Sequence, residues 1–132
     1  MKKVVVIGAG YVGLVTGTCL AQKNNFVILV ERNIEKITTL LNGKIPFYEP
    51  GLDKLVLNAL NNKNLIFVNS IEQALQESPE IIFSCVGTPS LADGSADLSA
   101  VWQAAHEIGM HLTNYALIVN KSTTPVGTAH KI

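Results

Sequence analysis

Short apolar runs alternate along the chain with longer segments in which apolar residues recur every three or four positions. The runs are rich in β-branched residues and predict five buried strands, at 4–7, 26–30, 65–68, 81–86 and 116–119. The periodic segments predict helices, at 11–23, 34–41, 52–61 and 71–76, and a further helix after residue 97. Residues 128–132 resemble the beginning of one more helix.

The helix after residue 97 and the loop at 45–51 carry more specific predictions. Asp97 is the expected N-cap, since an aspartate side chain accepts hydrogen bonds from the free N–H groups of a first turn. Trp102 is expected in the core because it belongs to the apolar stripe of this helix. The stripe comprises Leu98, Val101, Trp102, Ala105, Ile108 and Leu112. Residues 45–51 contain two prolines and a glycine, so they predict a shaped loop.

Strands that alternate with helices favour parallel pairing, because right-handed crossovers between parallel strands pass through helices. The prediction is an α/β fold with a doubly wound, Rossmann-like parallel sheet. The chain has 132 residues, of which 48% are hydrophobic and 15% charged. One domain with a sizeable core is therefore expected over residues 1–132.

Charge and cysteine content argue against several classes of function. Ten acidic and ten basic residues cancel, which gives no electrostatic reason to expect nucleic acid or anionic lipid as a partner. No run approaches the roughly 18 uncharged apolar residues of a membrane span. The two scattered cysteines fit a reducing cytoplasm. Cys85 lies in an apolar strand and Cys19 on the expected inner face of the first helix, so both are predicted to be buried thiols.

No metal site is predicted. His106, Glu107 and His111 are similar to the H-E-x-x-H zinc motif, but the histidines are five residues apart. That spacing is about 500° around a helix, so the two side chains diverge. Solvated histidines are expected.

The clearest chemical signal is the glycine-rich segment between the first strand and the first helix. Gly8, Gly10 and Gly13 match G-x-G-x-x-G, which is specific only when a strand precedes it and a helix follows, as here. Gly8 allows a tight turn, Gly10 lets the backbone approach a pyrophosphate, and Gly13 lets helix and strand pack closely. The pyrophosphate would lie on free N–H groups at the positive end of the helix. The segment predicts a dinucleotide site.

Glu31 supports a dinucleotide site independently. It follows the second strand, eighteen residues beyond Gly13, where a carboxylate accepts hydrogen bonds from the adenosine ribose hydroxyls. A carboxylate there repels the 2′-phosphate of NADP, which favours NAD as the cofactor. Arg32 keeps NADP open as the alternative, because its guanidinium is able to pair with that phosphate. It is equally able to lie over the adenine or to remain solvated.

Three further segments resemble those of one enzyme family. They are 43–52 (GKIPFYEPGL), 86–99, which contains VGTP and DGSADLS, and 120–128 (NKSTTPVGT). In this order after GAGYVGL, the chain resembles, from residue 3 to 132, the N-terminal NAD-binding domain of the UDP-glucose/GDP-mannose dehydrogenase family. The first two segments are most similar to members that act on UDP-glucose. Members that act on GDP-mannose or UDP-N-acetylmannosamine are the alternatives.

The resemblance implies that this chain is the N-terminal part of a longer enzyme. Members of the family remove two hydrides from the C6 alcohol of the sugar and use two NAD molecules. A later cysteine captures the aldehyde, and a lysine and an aspartate assist. These residues, the central helix and the C-terminal substrate domain are absent here, so we expect NAD binding without turnover. The full-length enzyme is expected to be a cytoplasmic homodimer.

The resemblance also assigns roles to single residues. The pyrophosphate loop is matched by Gly8, Gly10, Tyr11, Val12 and Gly13. Glu31 stands where the family usually has aspartate, and Lys36 matches a contact to the adenosine phosphate or ribose. Thr88 matches a residue near the nicotinamide ribose. Thr123 matches a threonine beside the nicotinamide that helps to hold an active-site water, which makes it the one catalytic residue assigned.

Two other functions fit the glycine loop alone. One is a stand-alone NAD-sensing regulatory module, and the other is a dehydrogenase of hydroxy-acid or hydroxyacyl substrates. Neither needs the PFYEPGL or KSTTPVG segments, which therefore favour the sugar-nucleotide enzyme. For Glu49 and Lys121 two roles stay open, one in the site and the other structural or solvated.

Overall fold

The fold is a five-stranded sheet with helices on both faces, described here by a computed structural model of residues 1–132. All four strand pairs are parallel, and the strand order is β3-β2-β1-β4-β5. The strands are β1 Lys3–Ile7, β2 Phe26–Val30, β3 Leu65–Val68, β4 Ile81–Ser84 and β5 Leu117–Asn120. The predicted α/β class, with a doubly wound parallel sheet, is confirmed.

Five helices connect the strands. They are α1 Tyr11–Gln22, α2 Ile34–Leu41, α3 Leu52–Asn61, α4 Ile71–Leu75 and α5 Ser99–His111. The Asn33 and Ser70 side chains cap α2 and α4, because each accepts a hydrogen bond from the backbone N–H of the third residue of its helix. None of the helices combines the length and apolarity needed to cross a membrane.

The core has two layers because the side chains of a strand alternate between the faces of the sheet. Val4 and Val6 of β1 pack with α1, α2 and α3 on one face. Val5 and Ile7 pack with α4 and α5 on the other. Strands β1, β2 and β4 are covered on both faces, which explains why they read as continuous apolar runs.

The sheet places the ends of β1 and β4 side by side where the chain changes direction. From β1 it winds outward through β2 to β3, then returns to form β4 on the opposite side of β1. Ligands of open α/β sheets bind in the crevice at this switch point, outside the carboxyl ends of the strands. The segments after β1, β2, β4 and β5 all lie at that edge.

Two side chains predicted as core are exposed, because each lies on the face of its helix that is turned away from the sheet. Cys19 is exposed, since it is turned about 200° from Gly17, which faces the sheet. Trp102 is 38% exposed, about 200° from the buried Ala104. Ala104, not Ala105, is the fully buried alanine of the α5 stripe.

Three predicted boundaries also need correction. Asp97 is not the N-cap of α5, which is Leu98; the Asp97 carboxylate accepts the Ser99 N–H at 2.9 Å instead. Strand β4 ends at Ser84, two residues earlier than predicted. Thr128–His130 forms a single 3₁₀ turn and not the beginning of an α-helix.

The packing of α1 on the glycine turn predicts opposite effects for two glycine substitutions. A Cβ at Gly13 would lie 1.7 Å from the Gly8 carbonyl oxygen, whereas Gly109 of α5 has no atom within 4 Å of such a Cβ. Gly13→Ala should lower the free energy of unfolding by about 3 kcal/mol or more. Gly109→Ala, the matched control, should raise it by about 0.5–1 kcal/mol through helix propensity. Urea denaturation measures both, and equal effects would contradict the packing described.

Candidate functional site

A groove of about 520 Å³ lies at the carboxyl edge of the sheet. Its walls are the glycine turn after β1, the residues after β2, the turns after β4 and β5, and one side of α5. This volume lies within the range of small-molecule and cofactor sites. Eight of the nine cofactor-binding residues predicted from the sequence line the groove. The ninth, Gly13, packs beneath it.

The glycine turn forms the central wall, and each glycine has a different reason to be there. Gly8 has φ +98°, and a Cβ on it would lie 2.9 Å from the Cys85 carbonyl oxygen. A Cβ on Gly13 would clash with Gly8 itself. Gly10 is different, because a Cβ there would meet no protein atom within 4 Å and would extend into open space. The turn therefore leaves room for a ligand at Gly10.

The N-terminus of α1 presents unpaired donors to this space. The Leu14 N–H is the first of the helix to be hydrogen bonded, to the Gly10 carbonyl at 2.9 Å. The N–H groups of Tyr11, Val12 and Gly13 have no backbone acceptor. Gly10 supplies no capping side chain, and the first turn contains no acidic residue. Free donors at the positive end of a helix suit an anion such as a pyrophosphate.

Glu31 marks the adenosine end predicted from the sequence, and its carboxylate is held in place. Its Oε1 accepts the Asn33 N–H at 3.0 Å, and its Oε2 pairs with the Lys36 Nζ at 2.7 Å. Burial raises the pKa of Glu31, but the Lys36 hydrogen bond and charge and the Asn33 N–H together hold it below its ordinary value. The side chain is therefore a carboxylate at neutral pH, with lone pairs left for further donors.

The Arg32 guanidinium forms an ion pair with an acidic residue of α5. Its Nη2 lies 2.5 Å from the Glu107 Oε1 on α5, so the pair joins the segment after β2 to α5. The Arg32 side chain is 54% exposed, so it stays partly solvated while it is paired with Glu107. No local pattern indicates this partner, because the two residues are 75 positions apart.

At the other end of the groove, the turns after β4 and β5 are tied together. The Thr88 Oγ1 donates to the Thr123 carbonyl at 2.9 Å, and the Ser122 Oγ donates to the Val86 carbonyl at 2.7 Å. The Thr88 bond uses the backbone of Thr123, so it does not engage the Thr123 hydroxyl. Lys121 is exposed and lines the groove beside them.

The Tyr11 ring stacks on Phe47, which sequence reasoning missed. Their ring centroids are 3.9 Å apart with an interplanar angle of 27°. The stack joins the loop at 43–51 to the beginning of α1, and Phe47 also packs against the core below. Glu49 is exposed in a separate shallow depression formed by that loop, away from the main groove. The only signal in the sequence is the presence of an aromatic residue in each of the two segments.

Cys85 lies under the glycine turn and lines the groove. It is 8% exposed, and burial raises its pKa to about 11, although the charge of Lys121 acts in the opposite direction. A neutral thiol is a poor nucleophile. The predicted burial of Cys85 is confirmed.

The two cysteines should differ sharply in reactivity. At pH 8, a disulfide reagent such as Ellman's should titrate one thiol rapidly, since Cys19 is exposed and Cys85 is buried with a raised pKa. The second thiol should react only after the protein is unfolded. Cys19→Ser should remove the rapid phase. A rapid phase that persists in this variant would contradict the burial of Cys85.

The observed residues fit a dinucleotide on three separate grounds. The open space at Gly10 admits a pyrophosphate, the free N–H groups of α1 are its donors, and the Glu31 carboxylate is an acceptor for ribose hydroxyls. Thr88 and Thr123 lie at the opposite end of the same groove. A bound dinucleotide would therefore span the switch point.

Comparison with known proteins identifies the family. Residues 2–132 match the model of the "UDP-glucose/GDP-mannose dehydrogenase family, NAD binding domain". The UDP-glucose 6-dehydrogenase TuaD of Bacillus subtilis is 52% identical over 128 residues, which cover 97% of this chain and 28% of that enzyme.

Solved structures agree. A UDP-glucose dehydrogenase from the archaeon Pyrobaculum islandicum is 37% identical, with a TM-score of 0.90 over 97% of this chain and 30% of that one. GDP-mannose dehydrogenase from Pseudomonas aeruginosa, in a ternary complex, is 31% identical, with a TM-score of 0.93 over 100% of this chain and 30% of that one. The chain thus spans less than a third of the length of these relatives. It belongs to the UDP-glucose/GDP-mannose dehydrogenase family, matches its NAD-binding domain, and has NAD as its cofactor.

Proposed function

We propose that this chain is the NAD-binding part of an enzyme that oxidises the C6 alcohol of UDP-glucose to the carboxylate of UDP-glucuronate. The observation that carries the proposal is the order of groups along the groove. An acceptor for ribose lies at one end, the glycine turn suited to a pyrophosphate in the middle, and the hydrogen-bonded turns after β4 and β5 at the other end. UDP-glucose is favoured over GDP-mannose and UDP-N-acetylmannosamine by the relative at 52% identity, which is a UDP-glucose 6-dehydrogenase.

The chain's own residues divide the binding of NAD among them. Gly8, Gly10 and the N–H groups of Tyr11, Val12 and Gly13 hold the pyrophosphate. Glu31 accepts the adenosine ribose hydroxyls, and Lys36 keeps that carboxylate ionised and oriented through the 2.7 Å pair. These contacts place the nicotinamide end toward Thr88 and Thr123, at the carboxyl ends of β4 and β5.

When bound, NAD supplies the hydride acceptor for the oxidation of the sugar. Thr123 contributes a hydroxyl at the nicotinamide end, where it helps to hold the water needed to convert an aldehyde into an acid. The hydrogen bond from Thr88 to the Thr123 carbonyl fixes the turn that presents this hydroxyl. Cys85 has no covalent part in the reaction, because it is a buried, neutral thiol.

The chain corresponds in length to only part of its relatives, so the catalysis proposed is that of a longer protein. We infer that this part comprises one domain over residues 1–132, that a central helix and a substrate domain with the catalytic cysteine follow it, and that the complete enzyme is a homodimer. On this view the 132 residues bind NAD but do not oxidise the sugar.

Gly10 offers the sharpest test of the cofactor site. Gly10→Val should weaken NAD binding about tenfold or more, because the new side chain extends into the space reserved for the pyrophosphate. Its melting temperature should stay close to that of the wild type. Isothermal titration calorimetry measures the binding, and Gly109→Val, the same change far from the groove, is the control. Unchanged affinity in Gly10→Val would contradict the assigned cradle.

An assay of NAD reduction distinguishes the NAD-binding part of an enzyme from an NAD-sensing module. The 132-residue chain should bind NAD and give no increase in absorbance at 340 nm with UDP-glucose. A chimera in which residues 1–132 replace the matching segment of the Bacillus subtilis TuaD enzyme should reduce NAD with UDP-glucose, and Thr123→Ala should lower its kcat about tenfold or more. A well-folded chimera that binds NAD without turnover would support the sensing module instead. Turnover by the chain alone would contradict the proposed division of labour.

A further inference from the structure

Four charged side chains lie at or beside the end of the groove assigned to adenosine, and they are arranged as two ion pairs. Lys36 pairs with Glu31 at 2.7 Å, and Arg32 pairs with Glu107 at 2.5 Å. The charges of the four residues sum to zero. Each of the two cations near the ribose site therefore has an acidic partner. Without such partners, two cations beside a ribose would attract a phosphate.

Arg32 is the residue best placed to recognise the 2′-phosphate that distinguishes NADP from NAD. It follows Glu31 directly and lines the same groove. An unpaired guanidinium binds phosphate through two parallel N–H donors and is preferred at such sites. In this protein one end of the guanidinium is already engaged, because its Nη2 donates to the Glu107 Oε1.

Glu107 is well placed to hold Arg32 in this way. It lies on α5, whose Gln103 and Ala104 form the facing wall of the groove. Its side chain is 29% exposed, less than the 54% of Arg32, so the acid is the more buried partner. A 2′-phosphate carries between one and two negative charges at neutral pH. It would have to displace Glu107 from Arg32 and would also be repelled by it.

We propose that Glu107 is a specificity-determining residue, which excludes NADP by engaging and neutralising Arg32. It is a positioning residue, since it acts through Arg32 and is not assigned a contact to the cofactor. Glu31 disfavours the 2′-phosphate directly, whereas Glu107 prevents the neighbouring arginine from compensating. The preference for NAD is thus determined by two acids on different elements, one after β2 and one on α5. This inference rests on the binding of NAD in the groove.

The test compares the dissociation constants of NAD and NADP by calorimetry on the 132-residue chain. Glu107→Gln keeps the shape of the side chain and removes its charge, so NADP should bind about three- to tenfold more tightly. The affinity for NAD should change by less than about twofold. Most of the gain should disappear in 0.5 M salt, because the released interaction is electrostatic and partly exposed. Glu107→Asp, which keeps the charge, should retain the wild-type preference.

Two further variants show whether the effect passes through Arg32. Arg32→Gln combined with Glu107→Gln should lose the gain in NADP binding. Glu77→Gln removes an acid of another exposed ion pair, with Lys3 at the opposite edge of the sheet, and should leave the NADP to NAD ratio unchanged. This control has the same change in net charge as Glu107→Gln.

The outcomes distinguish the inference from the proposed function. If the wild-type chain fails to bind NAD, the cofactor site itself is wrong. If it binds NAD but Glu107→Gln leaves the NADP to NAD ratio within twofold of the wild type, the role of Glu107 is overturned. A gain that persists in the double variant would overturn the route through Arg32. An equal gain in Glu77→Gln would show that net charge alone is responsible.

Discussion

The structure depends on how closely α1 approaches the end of β1. Gly13 packs so tightly on the Gly8 carbonyl that a single methyl group would overlap it. This contact fixes the direction of α1, which in turn aims three unpaired N–H groups at the space in front of Gly10. The same backbone geometry therefore determines both the packing of the first βα unit and the position of the free donors proposed to bind a pyrophosphate. A side chain at Gly13 would disturb both.

The rest of the groove is arranged around that fixed point by the topology of the sheet. Because β2 and β4 lie on either side of β1 in the parallel sheet, their carboxyl ends flank the glycine turn. Glu31 and Thr88 are consequently brought to opposite ends of one groove, although they are 57 residues apart in the sequence. The hydrogen bond from Thr88 to the Thr123 carbonyl then joins the turns after β4 and β5 at the end of the groove away from Glu31.

Features with a local physical signal could be predicted from the sequence. The five strands, the glycine turn and the position of Glu31 follow from apolar runs, the demand for glycine and the spacing of one βαβ unit. The predicted burial of Cys19 and Trp102 is wrong, because apolar character alone does not give the helical rotation that separates them from Gly17 and Ala104. The Arg32–Glu107 pair and the Tyr11–Phe47 stack depend on tertiary contacts between distant segments, for which no local periodicity exists. The roles of Thr88, Thr123 and Lys36 stay predictions from resemblance.

The thiol beneath the glycine turn has a consequence for the groove as a whole. Burial raises the pKa of the Cys85 thiol to about 11. Burial also acts to raise the pKa of Glu31, but the Lys36 side chain and the Asn33 N–H hold it below its ordinary value. At neutral pH the thiol is therefore uncharged and the carboxylate charged, so a ligand in the groove would meet an uncharged surface beneath the glycine turn and a fixed negative charge after β2.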